Sequence, residues 1–376
     1  MRIAIVHDWF VSPGGAENVI EAMLDIFPDA DVFSVVDFFD DVLRKKYLHG
    51  KKTKNTFIQK MPFAQKKYRM YLPLMPFAIE QLDLTEYDLV ISSSHAVAKG
   101  VIASPNQLHI CYCYSPIRYA WDLKFDYLKE SNLTKGFKSL LARYFLHKIR
   151  IWDLASSNNV DYFISISRFI KERIYKCYRR DSTIIFPNVD VDAFPLHEVK
   201  DDFYFTASRL VPYKRLALIA EAFSKMPDKK LIIIGDGPER DKVEKIASSS
   251  SNISYLGYQD YQTLKEHMMK ARAFIFAAEE DFGIVPLEAQ ACGTPVIAFA
   301  KGGSLDTVID KKTGFYFYKQ TADSIIKAVK DFEENHSLLL EPSKIRAHAM
   351  NFSTDIFKSN FKRFVLEKCK AKGFSI

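Results

Sequence analysis

Short apolar runs rich in β-branched and aromatic residues recur along the chain, each bounded by turn-forming residues. In the first half they are RIAIVHD (2–8), DVFSVVD (31–37), DLVISSS (88–94), LHICYCYS (108–115), DYFISIS (161–167) and TIIFPN (183–188). The second half has DFYFTAS (202–208), KLIIIGDG (230–237), ISYLGY (253–258), AFIFAA (273–278), TPVIAFA (294–300) and TGFYFY (313–318). Most are apolar on both faces, which predicts parallel strands covered by helices on each side. Between them, 214–226, 239–250, 260–271 and 321–334 repeat apolar residues at i, i+3 and i+4, the spacing of an amphipathic helix. Strand–helix alternation of this kind predicts βαβ units with right-handed crossovers.

The alternation happens twice. Between the halves, PNVDVDAFPLHEVKDD (187–202) has two prolines, five acids and no regular period, and reads as a linker. The predicted organisation is α/β: two doubly wound, Rossmann-like domains, 1–194 and 195–353, with a ligand cleft between them, because such sheets bind at the carboxyl ends of their strands. The last helix, 354–373, places Ile356, Phe357, Phe361, Phe364 and Val365 on one stripe. The stripe must dock on an apolar surface, of either domain, packing of 354–376 back on the first being one option.

Composition narrows the class. A length of 376 residues with 48% hydrophobic and 26% charged residues excludes long disorder and collagen-like repeats. The longest apolar runs fall far short of the ~20 residues that a membrane-spanning helix needs. The His7–Asp8 pair interrupts the N-terminal run too early for a signal peptide, so a cytoplasmic protein is expected. The five cysteines (Cys111, Cys113, Cys177, Cys292, Cys369) form no C-x-x-C pair, so neither a disulfide framework nor a structural metal site is expected. The net charge of +7 is uneven. From Arg44 to Ile79 there are ten Lys or Arg residues and no Asp or Glu, interleaved with Tyr47, Phe57, Phe63, Tyr68, Tyr71 and Phe77. Cations and aromatic anchors in this mixture suit an anionic membrane surface, and no nucleic-acid motif accompanies them.

Three segments carry candidate chemistry. In EEDFGIVPLEAQACGTPVIAFAKGG (279–303), Glu280 and Glu288 flank a turn into a short helix after a strand. A helix start favours a ligand's negative charge, and an ionised Glu accepts hydrogen bonds from paired hydroxyls such as those of a ribose. In FTASRLVPYKRLALIAEAF (205–223), Arg209 ends a strand and Lys214 opens the next helix. Two cations there can neutralise a diphosphate leaving group, Arg by its bidentate fork and Lys as a point charge. In SPGGAENVIEAMLDIF (12–27), Gly14 and Gly15 let backbone approach a ligand at a helix start. The pattern is not G-x-G-x-x-G, which weakens a dehydrogenase reading.

The segment 279–303 resembles the donor-site signature E-x-F-G-x-x-x-x-E-A … G-x-P-V-I of the retaining family 4 glycosyltransferases, which adopt the two-Rossmann GT-B fold. Glu280, Phe282, Gly283, Glu288, Ala289, Gly293, Pro295, Val296 and Ile297 match it without a gap. The resemblance implies that Glu280 contacts the transferred sugar and that Glu288 holds the nucleotide ribose, with Phe282 and Gly283 also binding the donor. It also implies that Arg209 and Lys214, in a segment similar to S-R-L-x-x-x-K, bind the donor pyrophosphate. Gly15 would lie under the donor phosphates and Gly14 beside the acceptor. His95, in VISSSHAVAKG (90–100), matches a His that faces the transferred sugar, and a catalytic role follows for it beside Glu280. The stretch CYCYSPIRYAWD (111–122) is similar to mannosyltransferases of bacterial surface-polysaccharide synthesis, although Tyr114-Ser115-Pro116 stands where that subgroup has His-Thr-Pro. Arg118 is the candidate for an anionic acceptor group. Asp236 in GDGPER (235–240) reads as turn chemistry.

The resemblance implies an enzyme that transfers a sugar from a nucleotide-diphosphate donor, GDP-mannose by subgroup likeness, with no metal or other cofactor. The acceptor would be a glycan or lipid-linked saccharide at the inner face of the membrane. A UDP-sugar donor, a nucleotide-sugar epimerase and a non-catalytic nucleotide-sugar-binding module are the alternatives.

Overall fold

The computed structural model of the chain describes residues 1–374. The chain forms two compact units, Met1–Asn188 together with Asp355–Ile376, and Val189–Thr354.

The first unit is built on strands β1 (Ile3–Phe10), β2 (Asp31–Asp37), β3 (Lys54–Asn55), β4 (Leu89–Ser94), β5 (Leu108–Cys113), β6 (Tyr162–Ser165) and β7 (Ser182–Ile184). They form one sheet of order β3-β2-β1-β4-β5-β6-β7, with parallel pairing throughout. The two-residue β3 falls in the basic stretch, where the sequence pattern predicts no strand; its Lys54 and Asn55 pair with Phe33 and Ser34. One face of the sheet packs Val6, Phe33, Val35 and Val90 against Ile58, Met75, Ile79 and Val97.

The second unit carries β8 (Tyr204–Ala207), β9 (Leu231–Ile234), β10 (Ile253–Tyr255), β11 (Ala273–Phe276), β12 (Val296–Phe299) and β13 (Gly314–Phe317). Their order is β10-β9-β8-β11-β12-β13, again all parallel. The helices Leu216–Ser224, Arg240–Ser248, Tyr261–Lys270 and Ala322–Glu334 occupy the segments whose periodicity predicts them. Ile219, Phe223, Val243, Ile325, Val329 and Phe332 form a core with Ile233, Ile275 and Ile297 of the strands. Both sheets reverse direction of growth once, between β1 and β4 and between β8 and β11, which are the switch points where doubly wound sheets take ligands.

Two expectations need correction. The change of unit falls between Asn188 and Val189, six residues ahead of the expected 194/195 boundary. Val189 already bridges Ser353 and donates its N–H to the Phe352 carbonyl, so the acidic linker lies in the second unit. Ile356 is exposed, while Phe357, Phe361, Phe364 and Val365 of the terminal helix Thr354–Lys372 are buried. Phe357 and Phe361 meet the Tyr112 ring edge-on at 5.8 and 6.1 Å, and Phe364 meets Tyr162 at 6.3 Å. Aromatic edge-to-face contacts of this kind fix the terminal helix on the first unit.

Candidate functional site

Each unit gathers candidate residues at the switch point of its own sheet, Arg118 after β5 excepted. In the second unit the loops after β8 and β11 meet. Lys214 ends a 3-10 turn, Pro212–Lys214, and its ammonium forms an ion pair with the Glu280 carboxylate. Arg209 lies exposed at the mouth of the same loop. The GDGP turn holds this loop from behind. Leu210 donates its N–H to the Asp236 carbonyl and Ser208 to the Ile234 carbonyl, both within 3.1 Å. A Cβ on Gly235 would overlap the Ser208 carbonyl, and one on Gly237 would come within 2.7 Å of the Leu210 carbonyl. These glycines at φ +146° and +151° therefore allow backbone to lie on backbone. The Asp236 carboxylate accepts from the Gly237 N–H, in line with a role in the turn.

The Glu280 loop is braced the same way. Gly302 pairs with Glu280 in a bridge, and the Gly303 N–H donates to the Glu280 carbonyl at 2.8 Å. A Cβ on Gly303 would overlap the Phe282 backbone. Phe282 is buried with its ring 5.9 Å from Phe352, so its side chain anchors the loop. Gly283 at φ +89° is the N-cap of the helix Ile284–Ala291. Glu288, on that helix, is half-buried. Burial, and after it the charge of Asp190, pushes its carboxyl up to about 7. Burial and the Glu288 charge in turn push the Tyr261 phenol up to about 12.

In the first unit, Gly14 and Gly15 close the loop after β1 and open the helix Gly15–Ile26. A Cβ on Gly14 would come within 3.1 Å of Glu17 Oε2. Glu17 is buried, 3.6 Å from His7 Nε2, and His7 Nδ1 lies 3.1 Å from both the hydroxyl and the carbonyl of Ser93. His95, half-buried on the loop after β4, places Nδ1 3.0 Å from Asp8 Oδ2. Tyr114 stands next to them with its hydroxyl 3.0 Å from Ser93 Oγ and donating to the Ala16 carbonyl at 3.3 Å. Burial pushes that phenol well above its ordinary range. Arg118 is half-buried in the turn after β5.

The structure thus brings Arg209, Lys214, Glu280 and Gly283 onto the loops of one switch point, with Glu288 on the helix that follows. It brings Gly14, Gly15 and His95 onto the loops of the other. Sequence reasoning missed Asp8 and the bracing glycines Gly302 and Gly303. A polar His-Asp pair inside an otherwise apolar strand was the available sign of Asp8; nothing local marks a glycine that must accept a distant backbone. A cleft of about 560 Å³ in the second unit is a different feature. Its lining residues Lys200, Asp201, Arg272 and Pro295 precede strands, at the opposite end of the sheet. Lys200 there is fully engaged with the Met269 and Cys292 carbonyls and Thr294 Oγ1. Among the described residues, no group of three or more His, Cys, Asp or Glu side chains could share a metal ion.

Residues 189–349 match the family model described as glycosyl transferases group 1. The chain is 27% identical over 219 residues to a GDP-mannose-dependent α-(1-6)-phosphatidylinositol monomannoside mannosyltransferase of Mycolicibacterium smegmatis, covering 50% of this chain and 56% of that protein. It is 37% identical over 114 residues to a GDP-mannose-dependent monoacylated α-(1-6)-phosphatidylinositol monomannoside mannosyltransferase of Corynebacterium glutamicum, covering 27% and 30%. The matched stretches thus span little more than half of the first relative and less than a third of the second. In structure it resembles Anabaena HepE, solved in complex with UDP and glucose, at 17% identity and a TM-score of 0.69 over 97% of this chain and 99% of that one. The family match is thus confined to a glycosyl transferases group 1 domain at 189–349, and the two parallel-sheet units have the GT-B fold of the solved glycosyltransferases.

Proposed function

We propose that the protein is a retaining glycosyltransferase that moves a sugar from a nucleotide-diphosphate donor to a glycan or lipid-linked acceptor. The observation that carries this reading is the Lys214–Glu280 ion pair, which joins the loops after β8 and β11 at one switch point, with Arg209 on the first loop and Glu288 on the helix after the second. As the glycosidic bond breaks, its electron pair leaves with the nucleoside diphosphate. Arg209 and Lys214 stabilise that growing negative charge, an interaction worth more in the transition state than in the bound donor. Glu288 accepts from the ribose hydroxyls, and Glu280 and His95 contact the transferred sugar.

GDP-mannose is the donor we favour, because the two mannosyltransferases above are named as GDP-mannose-dependent. A UDP-sugar is the second reading, favoured by HepE, whose solved complexes hold UDP. We place the protein in the cytoplasm, associated peripherally with an anionic membrane through the basic stretch 44–79, where it would act in surface-polysaccharide synthesis. Lys66, Lys67 and Arg69 are exposed there beside Phe63, Met70 and Phe77. No helix among the described residues is long and apolar enough to cross a membrane.

The deciding experiment is a panel of nucleotide sugars scored by thermal shift and by slow hydrolysis. Release of free nucleotide from one donor identifies it and separates a transferase from an epimerase, which releases none. Stabilisation without turnover by any donor would leave a binding module and reject the enzyme.

A further inference from the structure

We propose that Asp8 is the positioning residue of His95: its carboxylate holds the neutral imidazole in the Nδ1–H tautomer, so that Nε2 is presented as a hydrogen-bond acceptor to a hydroxyl of the bound sugar. This rests on the reading of His95 as a sugar-facing group.

Asp8 lies near the carboxyl end of β1 and is fully buried. Its Oδ2 accepts from the backbone N–H groups of His95 and Ala96 at 2.6 and 3.0 Å, and its Oδ1 from those of Val97 and Ala98 at 2.6 and 2.7 Å. One carboxylate thereby gathers four consecutive N–H groups and shapes the whole loop after β4. Burial alone would raise its pKa, but the His95 ring and N–H and the His7 ring outweigh that and hold the carboxyl well below its usual range. Asp8 is therefore ionised, and an ionised carboxylate only accepts. At 3.0 Å from Oδ2, the His95 Nδ1 must carry a hydrogen, and in the neutral ring that leaves the lone pair on Nε2.

The ring has little freedom to turn. The Trp9 indole meets it edge-on at 4.7 Å between centroids, with the His7 and Tyr114 rings at 6.0 and 6.3 Å. The His95 side chain is 30% exposed, enough for Nε2 to reach a ligand. The other titratable groups of this corner are accounted for. His7 faces Ser93 and Glu17, and Tyr114 meets Ser93 and Ala16. A sugar offers hydroxyl donors, and an imidazole locked in this tautomer offers one directed acceptor.

The test is long-range ¹H–¹⁵N correlation on the ligand-free, ¹⁵N-labelled protein at mildly alkaline pH, combined with donor turnover. The wild type is expected to show the Nδ1–H tautomer at His95. Asp8→Asn is expected to move it toward Nε2–H and to lower turnover about tenfold to a hundredfold, the size of one charge-assisted hydrogen bond. Affinity for the sugar-free nucleoside diphosphate should not change, which a general loss of structure would not spare. Should Asp8→Asn fail to fold, the wild-type spectrum and His95→Gln, which leaves Asp8 its four N–H donors, decide instead. His95→Gln is expected to lose turnover and keep nucleoside diphosphate binding. An Nε2–H tautomer in the wild type, or normal turnover in His95→Gln, would overturn the proposal. If no nucleotide sugar is turned over by the wild type, the transferase reading fails while the spectrum still judges Asp8.

Discussion

Lys214 and Glu280, 66 positions apart in the chain, form an ion pair. The cation proposed to bind the donor diphosphate and the carboxylate proposed to contact its sugar are thus each other's partners. Their side chains are only 16% and 19% exposed, so neither is left uncompensated in a partly dry pocket.

If Lys214 binds the donor diphosphate as proposed, the donor competes with Glu280 for it, and the two partners behave differently on substitution. Lys214→Ala and Arg209→Ala should lower turnover about a hundredfold or more, as loss of one transition-state charge contact does. Glu280→Gln should also lower turnover, yet release Lys214 and raise affinity for the nucleoside diphosphate by up to about fivefold. Steady-state kinetics beside calorimetric nucleotide titration checks both. Weaker nucleotide binding in Glu280→Gln would contradict the competition.

Glu288 makes stability and binding depend on pH in opposite directions. The unfolded chain ionises this group near its ordinary 4.5, whereas the folded protein holds the proton to about 7. Its contribution is therefore fully present below about 4.5 and is lost as pH rises through about 7, at most about 3 kcal/mol for this shift. Urea denaturation at pH 5 and pH 8 should show that loss in the wild type and a smaller one in Glu288→Gln. If Glu288 accepts from a ribose as proposed, its ionised form accepts more strongly, so nucleotide binding should strengthen between pH 6 and 8 and release a proton. Calorimetry in two buffers of different ionisation enthalpy measures that release.

Gly303→Ala should damage the donor loop without touching a ligand. The added Cβ would overlap the Phe282 backbone, and no rotamer can relieve a backbone clash. Overpacking of this kind costs about 1–3 kcal/mol, visible in thermal unfolding, and nucleotide affinity should fall with it. An unchanged melting temperature would show that the brace is dispensable.

The basic stretch should carry the protein to anionic membranes if the localisation proposed above is right. Phe63 and Met70 are 78% and 70% exposed, flanking the exposed Lys66, Lys67 and Arg69. Each cation near an anionic leaflet contributes about 1 kcal/mol. Flotation with phosphatidylserine vesicles should be lost in high salt and weakened by replacing the three cations with Glu. Equal flotation with neutral vesicles would reject the electrostatic component.

Most of the fold was legible in the chain because parallel strands buried on both faces must be apolar, and the amphipathic helices over them must repeat every three to four residues. Every long strand of both sheets announces itself in this way, while the two-residue β3 is too short to carry a period. Glu280, Glu288, Arg209 and Lys214 could be singled out as candidates from the chain because each sits in a motif that is local in sequence.

What the tertiary structure alone decided are relations between distant residues. Nothing near Asp8 tells that it collects the N–H groups of 95–98, because the register of β1 against β4 creates that meeting. Nothing near Gly303 or Gly235 tells which backbone lies against it. The division at Asn188–Val189 depends on a bridge to Ser353 across more than 160 residues. Likewise, the 4.5-to-7 displacement of Glu288 arises from burial and the charge of Asp190. Local composition determines which segments become strands, helices and loops; burial and long-range contact determine which of their polar groups are charged, aimed and paired.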